Sequence, residues 1–230
     1  MGNTCYCFDS ADKIHEKDMV TSCMTETPQS IEYKVNGSSM IEEVRDIYMA
    51  YLKGHADIIK EIRIINKNLD QISLTSLSLI IPELINLSEI VLKSNNLQLD
   101  GIEKLFSNMN QQQSLKKLWI VDNNIGDQGV EFLADILTEF SGLEYLHLDN
   151  NKISRSGCDF VKEIIDNLIY LKGLSLRHNN ISKRGLKKVA KALKEHKILE
   201  YFFVEAENVT EENIIRIREL LPNLRLDDNY

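Results

Sequence analysis

The chain has 230 residues, 43% of them hydrophobic and 27% charged, which is enough apolar material for a core and too much for a disordered chain. A formal charge of −8 argues against a dedicated nucleic-acid-binding protein, and no run of about 18 apolar residues is available to span a membrane. The N-terminus lacks the charged and apolar regions of a secretory signal. Four cysteines, three of them in a polar leader, do not form a disulfide framework, which predicts a cytoplasmic chain with reduced thiols.

Residues 1–28 form the polar leader, which has no useful periodicity and is expected to be flexible. Its first residues resemble an acylation signal, because loss of the initiator methionine would expose Gly2 to myristoylation, and Cys5 and Cys7 are placed for palmitoylation. Tyr6 departs from the usual pattern, which has Ser or Thr at that position. One myristoyl chain binds membranes only marginally, so a palmitoyl site would make the anchor stable. The alternative is an unmodified N-terminus that happens to contain glycine and cysteine.

Residues 29–54 are predicted to form an N-terminal cap made of one strand and one helix. Residues 31–35 alternate apolar and charged side chains, as on a short strand. A helical face of apolar residues follows, with Ser39 and Glu42 predicted to form a capping box at its start. Gly54 is predicted to stop this helix.

From residue 55 onward the template L-x-x-L-x-L-x-x-N-x-L recurs with a period of 28 residues. Its full copies start at Leu87, Leu115, Leu143 and Leu171. Less regular copies start at Ile59, Leu199 and, after a clipped spacing of 22 residues, Leu221. Glycine recurs in phase within the full copies, at Gly101, Gly129, Gly157 and Gly185. Two independent markers that share one period identify a repeat array.

These residues resemble the leucine-rich repeat family, specifically its ribonuclease-inhibitor-like kind with a 28-residue repeat of strand and helix. The resemblance covers residues 55–230, with about seven strands and a truncated last repeat. It implies an α/β fold, namely a right-handed leucine-rich-repeat solenoid (a horseshoe segment) with a parallel sheet on the concave face and helices on the convex face. The motifs are specific for the fold and identify no partner.

The spacing also explains the fold in physical terms. The fourth and sixth template positions, such as Leu118 and Ile120, alternate as on a strand and are predicted to point into the core. The template asparagines are predicted to bind backbone groups of the turning chain, at Asn95, Asn123, Asn151 and Asn179. The second half of each copy has helical spacing, and the glycine column predicts a turn that is either tight or crowded by the neighbouring repeat. In the first repeat Ser73 replaces this glycine and Pro82 interrupts the second half, which predicts a poor helix.

The outward-facing strand positions are predicted to form the binding surface, because their side chains have no structural role. Seven strands about 4.8 Å apart make a strip about 29 Å long, which fits a protein helix or a small domain better than a metabolite. An exposed apolar and aromatic patch on this strip predicts a protein contact. Its predicted residues are Trp119, Val121, Tyr145, His147, Asp149, Arg177, Tyr201 and Phe203. The alternative is that the rings only cover the strands and pack on one another.

No catalytic or metal site is predicted. His147 and Asp149 share a strand face, but no serine, cysteine or second carboxylate is placed to complete a nucleophile or an acid–base pair. Cys5 and Cys7 have no partner pair at ligand spacing, and Cys158 is predicted to pack as a small apolar residue in an outer helix. The sequence therefore predicts no enzyme, no cofactor, no metal and no small-molecule substrate.

Charge is unevenly distributed near the C-terminus. Residues 177–197 hold eight basic residues and one acid, whereas residues 198–215 hold five acids and no Lys or Arg. The predicted ridge on the outer helix consists of Lys183, Arg184, Lys187, Lys188, Lys191 and Lys194. It predicts an anionic partner, either a lipid headgroup surface or an acidic protein such as a microtubule, and the alternative is a solvated helix face. The last strand is an open edge, which its charges either blunt or leave as a docking edge.

We therefore expect a non-enzymatic interaction scaffold or adaptor, cytoplasmic or membrane-tethered, that binds a protein partner through its concave strand face. One alternative is a regulator of a small GTPase, because the repeat kind resembles that of the Ran GTPase activators. Their functional residues match no positions here, so this alternative depends on the fold alone. The other is a cytoskeletal or ciliary structural subunit that binds microtubules.

Overall fold

The structure is a computed structural model that describes residues 41–109 and 114–204 together with a few later positions. Those later positions are Ile215, Arg218, Glu219, Leu221 and the backbone of Arg225–Leu226. The leader, the predicted strand at residues 31–35, Ser39 and the charges after the last strand lie outside the described residues. The division into residues 1–28, 29–54 and 55–230 stays a prediction.

Strands and helices alternate along the described chain. The strands are β1 (Glu61–Ile65), β2 (Glu89–Lys93), β3 (Lys117–Val121), β4 (Tyr145–His147), β5 (Gly173–Ser175), β6 (Tyr201–Phe203) and β7 (Arg225–Leu226). The helices are α1 (Glu42–Leu52), α2 (Gln71–Ile80), α3 (Gln98–Phe106), α4 (Gly126–Ile136), α5 (Gly157–Asn167) and α6 (Lys183–Leu193). Short 3-10 turns occupy Ala56–Ile58, Ile81–Glu83 and Leu137–Glu139.

The strands form one parallel sheet in sequence order, β1 to β7. From β1 to β6 each residue pairs with the residue 28 positions later, so that Glu89 pairs with Lys117 and Lys117 with Tyr145. Between β6 and β7 the offset is 24, because Tyr201 pairs with Arg225, two residues beyond the template position. A shift by two keeps the same side chains on the same face of the sheet. The predicted α/β solenoid is confirmed, with the sheet on its concave face and the helices on its convex face.

The core lies between the sheet and the helices. Leu118 and Ile120 of β3 are fully buried, as the template predicts, and so are Val130 and Leu133 of α4. Burying a side chain of this size stabilises the fold by about 1.5–3 kcal/mol, and every repeat contributes the same set. Because each repeat packs only on its neighbours, the strand positions are fixed by a continuous apolar layer.

The template asparagines form a hydrogen-bonded ladder, as predicted. The Asn123 side chain donates to the Leu92 carbonyl at 2.8 Å and accepts the Asn95 backbone N–H at 3.0 Å. Asn95, Asn151 and Asn179 donate in the same way to the repeat before them. The ladder therefore satisfies backbone groups that the turn would otherwise leave buried and unpaired.

Two predictions about the first elements are wrong. α2 is a regular ten-residue helix, because Pro82 comes after it in a 3-10 turn where its missing N–H is not needed. Ile41 rather than Ser39 is the N-cap of α1, and its N–H donates to the buried Ser73 hydroxyl at 3.1 Å. The predicted stop at Gly54 is confirmed, since this residue has φ of +78° and bonds back to the Tyr51 carbonyl.

The glycine column is explained by crowding, one of the two predicted reasons. The neighbouring repeat crowds Gly185, where a Cβ atom would lie 2.6 Å from the Cys158 sulfur of the previous repeat, whereas at Gly129 the close atom, at 2.6 Å, is the Ile125 Cβ of the same repeat. The left-handed turns are instead made by non-glycine residues at the eighth template position, with φ of 50° to 56°. These residues are Asn66, Ser94, Asp122, Asn150 and His178.

Candidate functional site

The concave face has two halves with different chemistry. At the N-terminal end, β1 to β3 carry what we call the charged cluster, Glu61, Arg63, Glu89 and Lys117. From β3 to β6 the face carries what we call the aromatic row, Trp119, His147, Tyr201 and Phe203. Both sets occupy the third and fifth template positions, so the backbone presents them in the same way.

The charged cluster neutralises itself. Arg63 donates to Glu61 at 2.7 Å and lies 3.4 Å from Glu89, whose other oxygen is 3.1 Å from the Lys117 ammonium. These side chains are partly exposed, so water screens them and each pair contributes well under about 1 kcal/mol. The cluster leaves a hydrated surface with its charges already matched.

The aromatic row is a continuous stack across four strands. The Trp119 and His147 rings lie 3.9 Å apart between centroids and nearly parallel, and Tyr201 and Phe203 stack at 4.6 Å. Tyr201 meets His147 edge-on at 5.9 Å, and the Arg177 guanidinium lies 4.3 Å from the centre of the Phe203 ring. Each such aromatic pair adds about 0.5–1.5 kcal/mol beyond its burial, so the rings hold one another in place.

Small residues on β5 allow this stack to bridge non-adjacent strands. A Cβ atom on Gly173 would collide with the Tyr201 ring, which leans across β5 from β6. Ser175, the other outward residue of β5, is fully buried. Tyr201 consequently reaches β4, where its hydroxyl lies 2.8 Å from the His147 Nε2.

His147 is a neutral polar contact rather than an ion-pair partner. It is only 8% exposed, and burial lowers its pKa below the ordinary value more strongly than the carboxylate of Asp149 raises it. Arg177 lowers the pKa further. The 3.8 Å approach of the His147 Nδ1 to Asp149 is therefore not an ion pair at neutral pH, because the imidazole is uncharged there.

The side chains around His147 hold one another through hydrogen bonds. Burial raises the pKa of Tyr201 to about 12, so its hydroxyl stays protonated and is not an activated nucleophile. Asp149 accepts hydrogen bonds from the Ser175 hydroxyl and from the Arg177 backbone N–H, which ties the ends of β4 and β5 together. Among residues 41–109 and 114–204, no group of His, Cys, Asp or Glu side chains could hold a metal ion.

Trp119 is half-buried, and its indole nitrogen is the least satisfied group of the face. This Nε1 is buried without a hydrogen-bond acceptor among the described residues. A buried donor of this kind is costly, so stacking on His147 rather than a hydrogen bond sets the position of the ring.

The predicted concave-face residues do lie on one face, but the premise that they have no structural role is wrong. His147 is buried beneath its neighbours, as are Val91 and Ser175 at equivalent positions. The remaining members are half-buried, namely Trp119, Val121, Tyr145, Asp149, Arg177, Tyr201 and Phe203. The rings thus pack on one another and also expose part of their surface, and partner binding stays a prediction. Sequence reasoning missed the bridge over β5, although a glycine inside a strand signals a close approach.

The predicted basic ridge is present on α6 with one exception. Lys188 is half-buried and pairs with Asp159 of α5. The other members are exposed, namely Lys183, Arg184, Lys187, Lys191 and Lys194.

Cys158 is buried as predicted, and burial raises its pKa to about 11. The acylation residues Gly2, Cys5 and Cys7 lie outside the described residues.

Comparison with known proteins agrees with this architecture. A family model described as "Leucine Rich repeat" matches residues 111–134 and 167–190. Together with the stacked parallel strands, this match establishes the chain as a leucine-rich repeat protein. The ribonuclease-inhibitor-like subtype stays a prediction. No curated protein matches the sequence, and no helix in the described part of the chain is long and apolar enough to cross a membrane.

Several solved structures resemble the chain at low identity. Actin-binding site 2 of leiomodin-1 is 17% identical with a TM-score of 0.53, covering 65% of this chain and 86% of its own. An internalin from Listeria monocytogenes is 19% identical with a TM-score of 0.43, covering 80% and 60%. A leucine-rich repeat protein from Leptospira interrogans is 17% identical with a TM-score of 0.36, covering 74% and 48%. At these identities the likeness concerns the fold alone.

Proposed function

We propose that the protein is a non-enzymatic interaction scaffold whose aromatic row binds a segment of a protein partner. The observation that carries this proposal is the stack of rings from Trp119 to Phe203, in which His147 is buried and Trp119, Tyr201 and Phe203 each keep part of their surface exposed on the concave face. Aromatic and arginine side chains are the residues that most often dominate binding energy at interfaces. Rings already held in place lose little entropy on binding, which favours affinity.

The size and surroundings of the row fit a short peptide or one helix. β3 to β6 span three strand spacings, or about 14 Å, slightly more than the diameter of an α-helix. Polar groups border the rings, since the Tyr145 hydroxyl donates to Glu200 at 3.2 Å and Arg177 covers Phe203. An apolar centre with a polar rim is the usual anatomy of a protein interface.

The narrower forms of this function have their own tests. The similar leiomodin-1 structure is that of an actin-binding site, which makes actin filaments a candidate partner beside microtubules for a cytoskeletal role. Sedimentation with each filament tests that role, and a GTP hydrolysis assay with candidate GTPases tests the regulator alternative. Membrane tethering through Gly2, Cys5 and Cys7 is tested by metabolic labelling with fatty-acid analogues, comparing wild type with Gly2→Ala.

Site-specific photo-crosslinking tests the proposed face directly. Benzoylphenylalanine would replace Val121, which adjoins Trp119 on β3, and in separate proteins Ile65 of β1 or Glu131 of α4. We expect Val121 to trap the partner, Ile65 to trap little, and Glu131 on the convex side to trap none. Equal crosslinking from Glu131, or none from Val121 when the partner is captured, would refute the proposal.

A further inference from the structure

Positive charge on the convex side is concentrated in one helix. α6 contains five basic residues and no acid, and Lys194 follows at its C-cap. α4 carries three acids and no Lys or Arg, and α5 carries three acids and one Lys. The basic helix thus lies beside an acidic one, which gives the convex surface a sharp change of sign between neighbouring repeats.

Among the described residues, the exposed basic side chains of α6 have no acidic partner. Lys183, Arg184, Lys187, Lys191 and Lys194 form no ion pair with any described residue. By contrast, Lys188 pairs with Asp159 and Lys162 pairs with Asp166. Lys183 and Arg184 also stand in the first turn of the helix, where the helix dipole disfavours positive charge. Within the described part of the chain this concentration of positive charge is electrostatically unfavourable, and an anionic partner would relieve it.

An exposed apolar patch adjoins the C-terminal end of this charged stripe. Ile169 and Tyr170, in the turn after α5, are 63% and 54% exposed, and Ile198, in the turn after α6, is 45% exposed. Ile169 and Ile198 border one depression together with Ala192 of α6. Lys194, at the C-cap of α6, directly precedes Glu195 and His196, which border this depression, so the charged stripe ends next to the patch.

We propose that this surface binds an anionic lipid bilayer. Its residues are Lys183, Arg184, Lys187, Lys191, Lys194, Ile169, Tyr170 and Ile198. The lysines would lie against the headgroups, where attraction needs no fixed geometry, while the isoleucines and tyrosine enter the interfacial region. Four of the five basic residues are lysine, a hydrated point charge suited to a diffuse surface, whereas recognition of carboxylates on a protein favours the planar fork of arginine.

The acidic neighbours set the orientation of this contact. Glu131 and Asp135 on α4 are exposed and would be repelled by anionic headgroups, so α6 approaches the bilayer while α4 tilts away. Asp166 and Glu195 also border the apolar patch, but Asp166 is paired with Lys162. The concave face remains free, so this inference stands apart from the proposed protein-binding function.

Vesicle sedimentation with the full chain tests the inference, using Gly2→Ala, Cys5→Ser and Cys7→Ser together as background to remove acylation. We expect binding to phosphatidylcholine vesicles that contain phosphatidylserine, weakening as salt is raised, and little binding to phosphatidylcholine alone. Lys187→Gln with Lys191→Gln should weaken binding about 25-fold, since each basic residue near an anionic surface contributes about fivefold. Ile169→Ser with Ile198→Ser should weaken it about tenfold without changing its salt dependence.

The matched control is Lys60→Gln with Lys104→Gln, two exposed lysines away from α6, which should change binding by less than about twofold. Thermal melting of each variant confirms that it folds. Absence of binding to phosphatidylserine vesicles at low salt, or equal loss in the control pair, would overturn the inference. Binding to microtubules or polyglutamate without vesicle binding would also overturn it and assign the surface to an acidic protein.

Discussion

The charged cluster and the aromatic row occupy the same template positions on one sheet, yet only one of them leaves its surface unmatched. In the charged cluster each charge faces its opposite within the plane of the face, as Glu89 does with both Arg63 and Lys117. In the aromatic row His147 is enclosed between Trp119 and Tyr201, whereas Trp119 and Phe203 at the two ends keep exposed apolar area. Water solvates the first surface well and the second poorly.

This difference indicates that the repeat backbone sets the positions of the outward side chains. The chemistry of those side chains then determines whether their polar and apolar surfaces are matched by their neighbours. The register offset of 28 residues holds in both halves, so geometry alone does not distinguish them. What distinguishes them is the use of small residues on β5, which lets the rings of β4 and β6 meet.

The largest expected effect comes from filling the space that allows the rings to meet. Gly173→Val should lower the free energy of unfolding by about 3 kcal/mol, because the new side chain displaces the Tyr201 ring from β5. Urea unfolding of wild type and Gly173→Val measures this difference in the free energy of unfolding. In the Tyr201→Ala background the same substitution should cost about 1–2 kcal/mol less, and an unchanged cost would contradict the account.

The next effect compares two residues of the same template position in the two halves. Trp119→Ala should lower the free energy of unfolding by about 2–3 kcal/mol, less than for a fully buried ring because Trp119 is only half-buried. Arg63→Ala should change it by less than about 1 kcal/mol, because its ion pairs are screened by water. Chemical denaturation of both variants provides the comparison, and similar losses would remove the distinction between the two halves.

A pH series probes the aromatic row alone, since His147 is the only histidine on the described strands. Burial lowers its pKa, so the unfolded chain binds the proton more readily than the folded one. Wild type should therefore lose stability relative to His147→Gln as the pH falls below the ordinary value of 6.5 toward the lower folded value. Melting temperatures of both proteins across this pH range test the prediction. A melting temperature of wild type that rises relative to that of His147→Gln as the pH falls would contradict it.

The smallest effect is expected in the charged cluster. Glu89→Gln removes the shared partner of Arg63 and Lys117, yet it should lower the free energy of unfolding by less than about 1 kcal/mol. The difference from wild type should disappear in about 1 M salt, where the screening length is shorter than the spacing of the charges. A loss that persists at high salt would mean that the carboxylate has another structural role.

The parts of the fold that follow from short-range pattern could be predicted from sequence. The template fixes which strand residues are buried, such as Leu118, and where the asparagine ladder runs, because each copy repeats the same contacts. The sequence did not reveal that Pro82 leaves α2 intact. Pro82 interrupts a helix only if it lies inside one, and the template does not specify that α2 ends at Ile80, before this residue.

The interior of the candidate site could not be predicted either. A template position determines on which face of the sheet a side chain lies, but it does not determine which neighbouring strands that side chain contacts. Tyr201 meets His147 two strands away, and Lys188 turns to Asp159 rather than to solvent. Both contacts join repeats whose side chains differ, so no periodic pattern encodes them.

The most direct test of protein binding by the aromatic row is the partner affinity of two matched variants. Val121→Glu and Ile65→Glu place the same charge at the same template position, one beside Trp119 and one beside Arg63. The partner that photo-crosslinking identifies would be purified and titrated into each variant by isothermal titration calorimetry. With both variants folded, the Kd should be at least about 30-fold weaker for Val121→Glu and should change by less than about twofold for Ile65→Glu. Equal affinities of the two variants, or a greater loss for Ile65→Glu, would contradict the account.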